Sequence, residues 1–432
     1  MGPLPVIDIR AKTRLDSPEE TSFRRTHLIV GALLFLLLSF TTGTVFVEQA
    51  WALQSFQIGI YALVAGYLLV HFRGEKEPTA NGIVPGLVYL IPLWGVVQIA
   101  THTTASTFET RKELLRWGAL AGVFFLSQVV CGAKNARRTF LTIVLGFGTA
   151  MAILCLLQLF TSEGRVLWIF PSGYGDVYAT FQNRNNFSQY IELVLPIALW
   201  RTLREGWKSW WYPLLGGVLY ASVIGSASRV GAFLCTAEIV VMLLIGLVKL
   251  RDPKTGTRSR ATTLILVAIP ILATIFTLAV GWQRVWQRFE EADPFQGRRE
   301  FLIAAVNMAK HRPLTGFGLG TFPEVYQRFA IKDFPFYANH THNDWAEFAA
   351  DGGIPFLLLV LIPFAGAIPT AFRHPWGIGL VVVMAHACVD YPFPRPAVSG
   401  WMFALLGALY MARMSDRSAP QPSSVPADNK TK

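Results

Sequence analysis

Residues 340–353, HTHNDWAEFAADGG, bring together side-chain types that often carry chemistry in proteins. The stretch allows three interpretations. His340, His342 and Asp344 are ligand types for zinc or iron, although no fourth ligand is evident. Asp344 and Glu347 match a capping box at the start of a short helix. His342, just ahead of that positive helix end, is expected to stay neutral and suits a general base or a substrate-binding group. We favour His342 as the catalytic residue.

Two arginines stand where apolar helices are expected to begin. Arg184 lies among asparagines in FQNRNNFSQYIEL, and Arg229 lies among small residues in GSASRVGAF. A guanidinium beside free backbone N–H groups makes an anion site. Asn183 is expected to support this site, and Asn186 to cap the first helix. The alternative is that each arginine only extends toward lipid headgroups. We predict that both arginines bind phosphate groups.

The segment 297–322 contains three further arginines: Arg298, Arg299 and Arg312. They could add phosphate contacts or be solvated loop charges. The apolar spacing over 299–310 predicts an amphipathic helix. The GFGLG that follows lacks the glycine spacing and the preceding strand of a dinucleotide site, so it is interpreted as a tight turn. The glycine pair 352–353 is expected to end the short helix of the histidine motif.

The stretch AHACVDYPFPRPA, 385–397, places two more ionisable residues near the end of an apolar run. His386 and Asp390 are four residues apart, so on a helix they would share a face. Ionisable residues inside spans usually face the bundle interior and often mark a site, and Glu192 and Glu238 belong to the same set. His386 and Asp390 could instead only orient their neighbours. The residues expected to support His342 are Asn343, Asp344, His386 and Asp390.

The elements that must position these residues are membrane helices. The chain has 432 residues, of which 53% are hydrophobic and 15% charged, against about 25% charged in a soluble domain. Several apolar runs of roughly 18 residues or more can each cross a hydrocarbon core of ~30 Å. The runs are continuous rather than alternating, which favours helices over a barrel. The first run is longer than the core of a cleaved signal peptide, so we expect an uncleaved helix. The four cysteines form no CxxC pair, which indicates neither a disulfide framework nor a zinc site.

The sequence therefore predicts an all-α, polytopic membrane bundle of about twelve transmembrane helices with one large external loop. The expected spans lie near 28–46, 51–70, 82–100, 114–131, 139–160, 187–200, 212–225, 230–248, 261–281, 354–371, 376–390 and 397–412. The expected segments are a cytoplasmic segment 1–27, helices 1–9 over 28–281, the large loop 282–353 with the histidine motif, helices 10–12 over 354–412, and a disordered cytoplasmic tail 413–432.

The distribution of basic residues predicts the orientation of this bundle. Segments on the N-terminal side carry most of the 38 lysines and arginines, and such segments stay in the cytoplasm. The net charge of +11 is then explained by topology and by contact with anionic lipids, and no nucleic-acid partner is expected. The candidate residues gather on the opposite, external face. Two arginines suit a lipid diphosphate and a neutral histidine suits activation of a hydroxyl. Because the diphosphate is already a good leaving group, we expect neither a metal nor a cofactor.

Five motifs also resemble a known family: ATFQNRNNFSQYIEL, SASRVG, HRPLTGFGLGTF, HTHNDWAEFAADGGIPFLLL and HACVDYPFPRPA. In this order they are similar to the O-antigen ligase and O-antigen polymerase (Wzy-C-like) superfamily of membrane glycosyltransferases. The resemblance covers about 180–412. It implies a GT-C-like, metal-independent, inverting enzyme of the bacterial inner membrane that works at the periplasmic face. By motif match, Arg184 and Arg229 take the diphosphate-binding positions and His342 that of the essential histidine. Arg312 departs from the family pattern, in which histidine precedes proline directly.

The resemblance implies that the donor is an undecaprenyl-diphosphate-linked glycan. The acceptor stays open between another lipid-linked glycan, a lipid A core and a protein, so the choice between ligase and polymerase stays open as well. A different class, a polytopic transporter or flippase of a lipid-linked or anionic substrate, would show two matching halves and a site near the bilayer midplane. No such repeat is evident in the sequence. A lipid-phosphate phosphatase would use the same arginines, with water as the acceptor.

Overall fold

The computed structural model describes residues 18–71, 79–80, 82–173, 175–205, 210–249, 260–281, 283, 286–287, 290, 297–332 and 338–418. Nearly all of this is α-helical, and a single short hairpin pairs β1 (Arg165–Val166) with β2 (Phe170–Pro171). The helices before the large loop are α1 (Pro18–Gly43), α2 (Ala50–His71), α3 (Ile83–Ala100), α4 (Thr107–Cys131), α5 (Lys134–Thr161), α6 (Arg184–Glu205), α7 (Trp211–Ser226), α8 (Arg229–Lys249) and α9 (Arg260–Val280). After them come α10 (Arg298–His311), α11 (Phe322–Val325), α12 (Asp344–Arg373), α13 (Ile378–His386) and α14 (Pro396–Ser418).

Each of the predicted spans falls on one of these helices, which confirms the all-α membrane architecture. Eight helices are long and apolar enough to cross a membrane by length and composition: α1, α2, α3, α4, α5, α8, α12 and α14. The other predicted spans fall on α6, α7, α9 and α13, which are shorter, more polar or only partly described. Helix α6 is the polar case, since Glu192 and Arg201 are buried within it. The number of crossings thus stays a prediction.

Helices α14, α4 and α6 form the centre of the bundle. In the apolar windows of α14 and α4, 89% and 72% of the residues are buried, against 22% in α2. In α6, every residue from Asn186 to Leu199 is buried. Small residues let these backbones approach closely, as they do in membrane bundles generally. A Cβ added at Gly407 of α14, for example, would lie 2.7 Å from the carbonyl oxygen of Phe124 in α4. The polar residues of α6 between Asn186 and Leu199 are therefore held in the core and do not face lipid.

A kink in α12 shapes the surface around the histidine motif. Gly353 leaves the helical conformation, with φ 72° and ψ 178°, so the predicted break at the glycine pair is confirmed, although the helix resumes afterwards. The GFGLG segment is the tight turn that was predicted, and it packs into this break. The N–H of Gly318 donates to the carbonyl of Asp351 at 2.8 Å. Gly316 has a positive φ, and a Cβ there would collide with the Asp351 backbone. The turn therefore fixes the short helix that carries the histidine motif.

Two predicted helix starts differ from the structure. Asn183, and not Asn186, caps α6, because its Oδ1 accepts the backbone N–H of Asn185 at 2.8 Å. Asn343, and not Asp344, caps α12, because its Oδ1 accepts the N–H of Ala346 at 3.0 Å. In both cases the cap lies one or more residues earlier than predicted. A short run of polar residues contains several possible caps, and the tertiary contacts of each one decide between them.

Two predicted helix ends also differ. Helix α13 ends at His386, so Asp390 lies in the turn that follows, and the expectation that both residues share a helix face is wrong. Helix α14 continues to Ser418, six residues into the predicted tail that begins at 413. The rest of that tail, 419–432, lies outside the described residues, as do 1–17. The amphipathic helix predicted over 299–310 is confirmed as α10, which buries Phe301, Ala304, Ala305 and Met308.

Candidate active site

The backbone around His342 is held in a strained conformation by one carboxylate. His342 has φ 55°, in the left-handed region that non-glycine residues visit rarely and at a cost of about 1–3 kcal/mol. Glu347 accepts the N–H of Thr341 at 2.8 Å and lies 2.9 Å from Nδ1 of His340. Glu347 therefore clamps the loop before α12 and does not complete the predicted capping box. The clamp fixes the position from which the His342 side chain projects.

His342 forms a pair with a buried carboxylate. Its Nδ1 lies 3.3 Å from Oδ1 of Asp390, whose side chain is fully buried. Oδ1 also accepts the N–H of Tyr391 at 2.9 Å, and Oδ2 accepts Nδ2 of Asn185. An ionised carboxylate can only accept hydrogen bonds, so Nδ1 of His342 must be the donor. Nε2 then carries the lone pair, and it has no hydrogen-bond partner among the described residues. The imidazole is 24% exposed, so Nε2 is open to an incoming hydroxyl.

The electrostatics around Asp390 keep it ionised. Burial alone would raise the pKa of Asp390, but the hydrogen bond and the charge of His342 outweigh it, with smaller contributions from His386 and Arg298. Together they hold its pKa at about 2. Arg298 also braces the turn itself, since Nη1 donates to the carbonyl of Val389 at 3.1 Å. A permanently charged carboxylate fixes the tautomer of the histidine and stabilises an imidazolium once it forms.

Tyr391 holds the ring of His342 in place, and the sequence interpretation missed it. The phenol ring stacks on His340, with centroids 4.6 Å apart, and meets His342 edge-on at 4.8 Å. Nδ2 of Asn183 donates to its hydroxyl at 3.4 Å. The predicted support by Asn183 thus reaches His342 indirectly, through Tyr391. The available signal was the position of Tyr391 directly after Asp390, in a stretch already singled out for other residues.

Arg184 lies at the N-terminus of α6, directly after the cap at Asn183. Its side chain is half-buried, and within the described part of the chain it makes no hydrogen bond and no ion pair. The unpaired N–H groups and the dipole of α6 add positive potential at the same place. A half-buried guanidinium without a protein partner at a helix N-terminus is a favourable site for an anion.

Asn185 joins the arginine helices to the histidine pair. Its Nδ2 donates to Asp390, and its Oδ1 accepts the hydroxyl of Ser228 at 2.8 Å. Ser228 directly precedes Arg229, the first residue of α8. The two helix N-termini that carry arginines and the histidine pair thus form one hydrogen-bonded unit. Asn185 was not among the predicted site residues, although it lies inside the quoted NRNN.

The histidine motif packs against the segment 387–393 and is held there by hydrogen bonds. Nδ2 of Asn343 donates to the carbonyl of Cys388 at 2.7 Å. The N–H of Asp344 donates to the carbonyl of Ala387, and its buried Oδ2 accepts the N–H of Phe393 at 3.0 Å. Asn343 and Asp344 therefore support the site as backbone braces.

The other predicted residues have different surroundings. Nη1 of Arg312 donates to the carbonyl of Thr103 at 3.0 Å, and its guanidinium lies over the Phe317 ring. Arg299 is 75% exposed, 3.8 Å from Glu300. Neither arginine has a contact with the histidine pair among the described residues. Arg312 braces the tight turn, and its role in phosphate binding stays a prediction, as does that of Arg299.

The three residues of the metal interpretation do not converge. His340 faces Glu347, His342 faces Asp390, and Asp344 accepts a backbone N–H. Across the described ranges, no group of three His, Cys, Asp or Glu side chains is arranged to hold a metal ion. The geometry favours acid–base chemistry at His342 over metal ligation.

Comparison with known protein families fits this geometry. Residues 214–361 match the family model described as O-antigen ligase. The match covers 148 of the 432 residues, so the protein is similar to this family over about a third of its length. The similarity supports a glycosyltransferase-like membrane enzyme of surface polysaccharide biosynthesis. The matched segment of the chain contains Arg229 and His342 but neither Arg184 nor Asp390, whose positions beside it follow from the structure. No curated protein and no solved structure matches the chain.

Proposed function

We propose that the protein transfers a glycan from an undecaprenyl-diphosphate carrier to a hydroxyl acceptor at the periplasmic face of the bacterial inner membrane. One observation carries this proposal. The His342–Asp390 pair, with Nε2 of His342 open, is tied through Asn185 to the helix N-termini that carry Arg184 and Arg229. A base for a hydroxyl and a site for a diphosphate therefore lie side by side. If the site faces the periplasm, the segment 282–353 is periplasmic and both termini are cytoplasmic.

The donor diphosphate binds at the N-termini of α6 and α8. Arg184 and Arg229 contribute two guanidinium groups, which can each form paired hydrogen bonds to phosphate oxygens. During transfer the bond between the sugar anomeric carbon and the diphosphate oxygen breaks, and the lipid diphosphate leaves with that electron pair. The arginines stabilise the charge that develops on the leaving oxygen, which is the role that positioned cations play in such transfers.

The acceptor hydroxyl binds at Nε2 of His342. As its oxygen attacks the anomeric carbon, its proton passes to Nε2, and Asp390 stabilises the imidazolium that results. Attack from the side opposite the diphosphate inverts the configuration at the anomeric carbon. Proton transfer by a positioned base of this kind contributes about 10²–10⁴-fold to a rate. The acceptor itself is a second glycan, a lipid A core or a protein, and membrane lipids surround the site.

The test uses the purified full-length protein in liposomes, with a radiolabelled undecaprenyl-diphosphate glycan, an added acceptor glycan and EDTA. Wild type is compared with His342→Ala and with His374→Ala. The control is matched, because His374 pairs with Asp416 at 3.0 Å and is 25% exposed, close to the 24% of His342. We expect wild type and the control to move label from the carrier to the acceptor, and His342→Ala to lose about 10²–10⁴-fold in rate.

Three results would contradict the proposal. Equal rates in wild type and His342→Ala remove the role of the histidine. Transfer that occurs without EDTA but not in its presence excludes the metal-independent mechanism. An intact carrier that only changes leaflet shows a flippase. The size of a labelled product then distinguishes a polymerase from a ligase.

A further inference from the structure

Three buried titratable side chains lie behind the active site, within the helix bundle. Glu192 on α6, Glu238 on α8 and His386 at the end of α13 are each 0% exposed. Nδ1 of His386 lies 2.8 Å from Oε1 of Glu192. None of the three can reach the substrates proposed above, because the closed surface of the bundle covers them. Ionisable residues inside membrane spans are energetically costly and usually mark a functional site.

Most polar atoms of this group lack a protein partner. Nε2 of His386, Oε2 of Glu192 and both carboxyl oxygens of Glu238 have no hydrogen bond within the described residues. An unpaired, ionised carboxylate in a dry interior costs several kcal/mol. Glu238 must therefore hold a proton or take a partner. Buried polar atoms that the protein leaves open are usually satisfied by ordered water.

The register of the helices places the three side chains together. The Asn185–Ser228 hydrogen bond and the close contact of Gly231 with Ser188 show that α6 and α8 run side by side in the same direction, offset by 43 residues. On this register Glu238 lies three residues beyond the level of Glu192, which is ~4.5 Å along the axis. That separation is within the reach of two glutamate side chains, directly or through one water.

On the other side, α13 closes the group off from lipid. A Cβ added at Gly379 would collide with the carbonyl oxygen of Glu192, so α13 packs directly on the backbone of α6. The charged groups that act on His386 from neighbouring elements are Glu192, Asp390 and Arg298. The thiol of Cys235 on α8 lies near Glu192 and Glu238.

The group is connected to the active site through the backbone. The carbonyl of His386 accepts the N–H of Val389 at 3.0 Å and the N–H of Asp390 at 3.1 Å. The turn that carries Asp390 is therefore built on His386, and Asp390 in turn holds His342. His386 therefore links the buried group to the turn that carries the carboxylate on which the proposed base depends.

We propose that Glu192, His386 and Glu238 form a membrane-buried proton-holding site, in which a neutral Glu238 donates its proton toward Oε2 of Glu192 and His386 positions the Asp390 turn. Glu192 and His386 form an ion pair, and ordered water occupies the positions that the protein atoms leave open. The positioning role rests on the proposed transferase function, whereas the protonation of Glu238 does not. The ligands of this site are a proton and water.

The first experiment measures that proton by infrared spectroscopy of the full-length protein in lipid nanodiscs. A buried carboxylic acid gives a C=O band distinct from that of a carboxylate, and we expect it to persist at alkaline pH. Glu238→Gln should lower the intensity of the band by the share of one carboxyl group, because the buried Asp344 and Asp351 can also contribute to it. Glu163→Gln, at an exposed carboxylate, should leave the band unchanged. A wild-type spectrum without the band overturns the proposal. So does a band that is unchanged in Glu238→Gln.

The second experiment measures transfer kinetics. His386→Gln should lower kcat about tenfold and leave the donor KM within about twofold, because the arginine site is untouched. Glu238→Gln should keep kcat within about twofold, because an amide mimics a neutral carboxyl that donates. Loss of kcat in Glu238→Gln overturns the neutral state. Equal changes of kcat and KM in His386→Gln, with a lowered Tm, show a merely structural residue. If wild type itself transfers nothing, the proposed function fails, while the infrared result still decides the protonation.

Discussion

Two histidine–carboxylate pairs lie at opposite ends of the same helices. His342 precedes α12 and pairs with Asp390 before α14, whereas His374 follows α12 and pairs with Asp416 near the end of α14. The histidines are equally exposed, at 24% and 25%, but Asp390 is 0% exposed and Asp416 is 42% exposed. A solvated pair of the second kind contributes little. We therefore expect the burial of the carboxylate, rather than the presence of a pair, to distinguish His342 as the histidine that can act as a base.

Substitution of the carboxylates is the strongest test of the difference between the two pairs. Asp390→Asn should lower the transfer rate by about 10²–10³-fold, because the amide leaves the wrong tautomer of His342 available and cannot stabilise an imidazolium. Asp416→Asn should change the rate by less than about twofold. The measurement is kcat in the liposome assay. Similar losses in both variants would show that burial does not distinguish the pairs.

The pH dependence of stability gives a second test. Because the folded pKa of Asp390 is depressed to about 2, its carboxylate contributes stability that is fully present above the unfolded pKa of about 3.9. This contribution, about 2–3 kcal/mol, is lost as the pH falls from about 4 toward 2. The gap in thermal stability between wild type and Asp390→Asn in nanodiscs should therefore narrow in that window. A gap that stays constant down to the lowest pH would contradict the buried, ionised state of Asp390.

Arginines at the two ends of α6 extend the comparison to the donor site. Arg184→Ala should raise the donor KM about 10–50-fold, because a charge-assisted phosphate contact is lost at a helix N-terminus. Arg204→Ala, in the last turn of the same helix, should leave the donor KM within about twofold. Initial rates at varied donor concentration give both values. A larger effect at Arg204 would place the diphosphate at the opposite face.

The smallest expected effect concerns Tyr391. Tyr391→Phe keeps both ring contacts with His340 and His342 and loses the hydrogen bond from Asn183, so kcat should fall by no more than about threefold. Tyr391→Leu removes the ring contacts and should lower kcat about tenfold. The transfer assay with saturating donor measures both. If kcat fell as much in the phenylalanine variant as in the leucine variant, the hydroxyl of Tyr391 and not its ring would position His342.

Part of the candidate site can be predicted from the sequence, and the reason is physical. Arg184, Arg229 and His342 are candidates from the sequence because each stands at or just before the start of a helix, which neighbouring residues define. Asn185 was missed as a link, because its partner Asp390 lies 205 residues away. Glu347 was assigned to a cap on local spacing, whereas its actual partners lie in the preceding loop. Local patterns predict which residues begin a helix but not what their side chains contact.

By itself, the sequence determined that this is a bundle of membrane helices with arginines and a histidine motif at helix starts. Hydrophobicity, charge bias and turn residues act over a few neighbouring positions, so they can be interpreted without a structure. Tertiary packing alone decided that α13 ends at His386, that the following turn buries Asp390, and that this carboxylate meets His342, 48 residues earlier in the chain. Such contacts depend on how whole helices pack, because a hydrogen bond requires two groups to lie within about 3 Å.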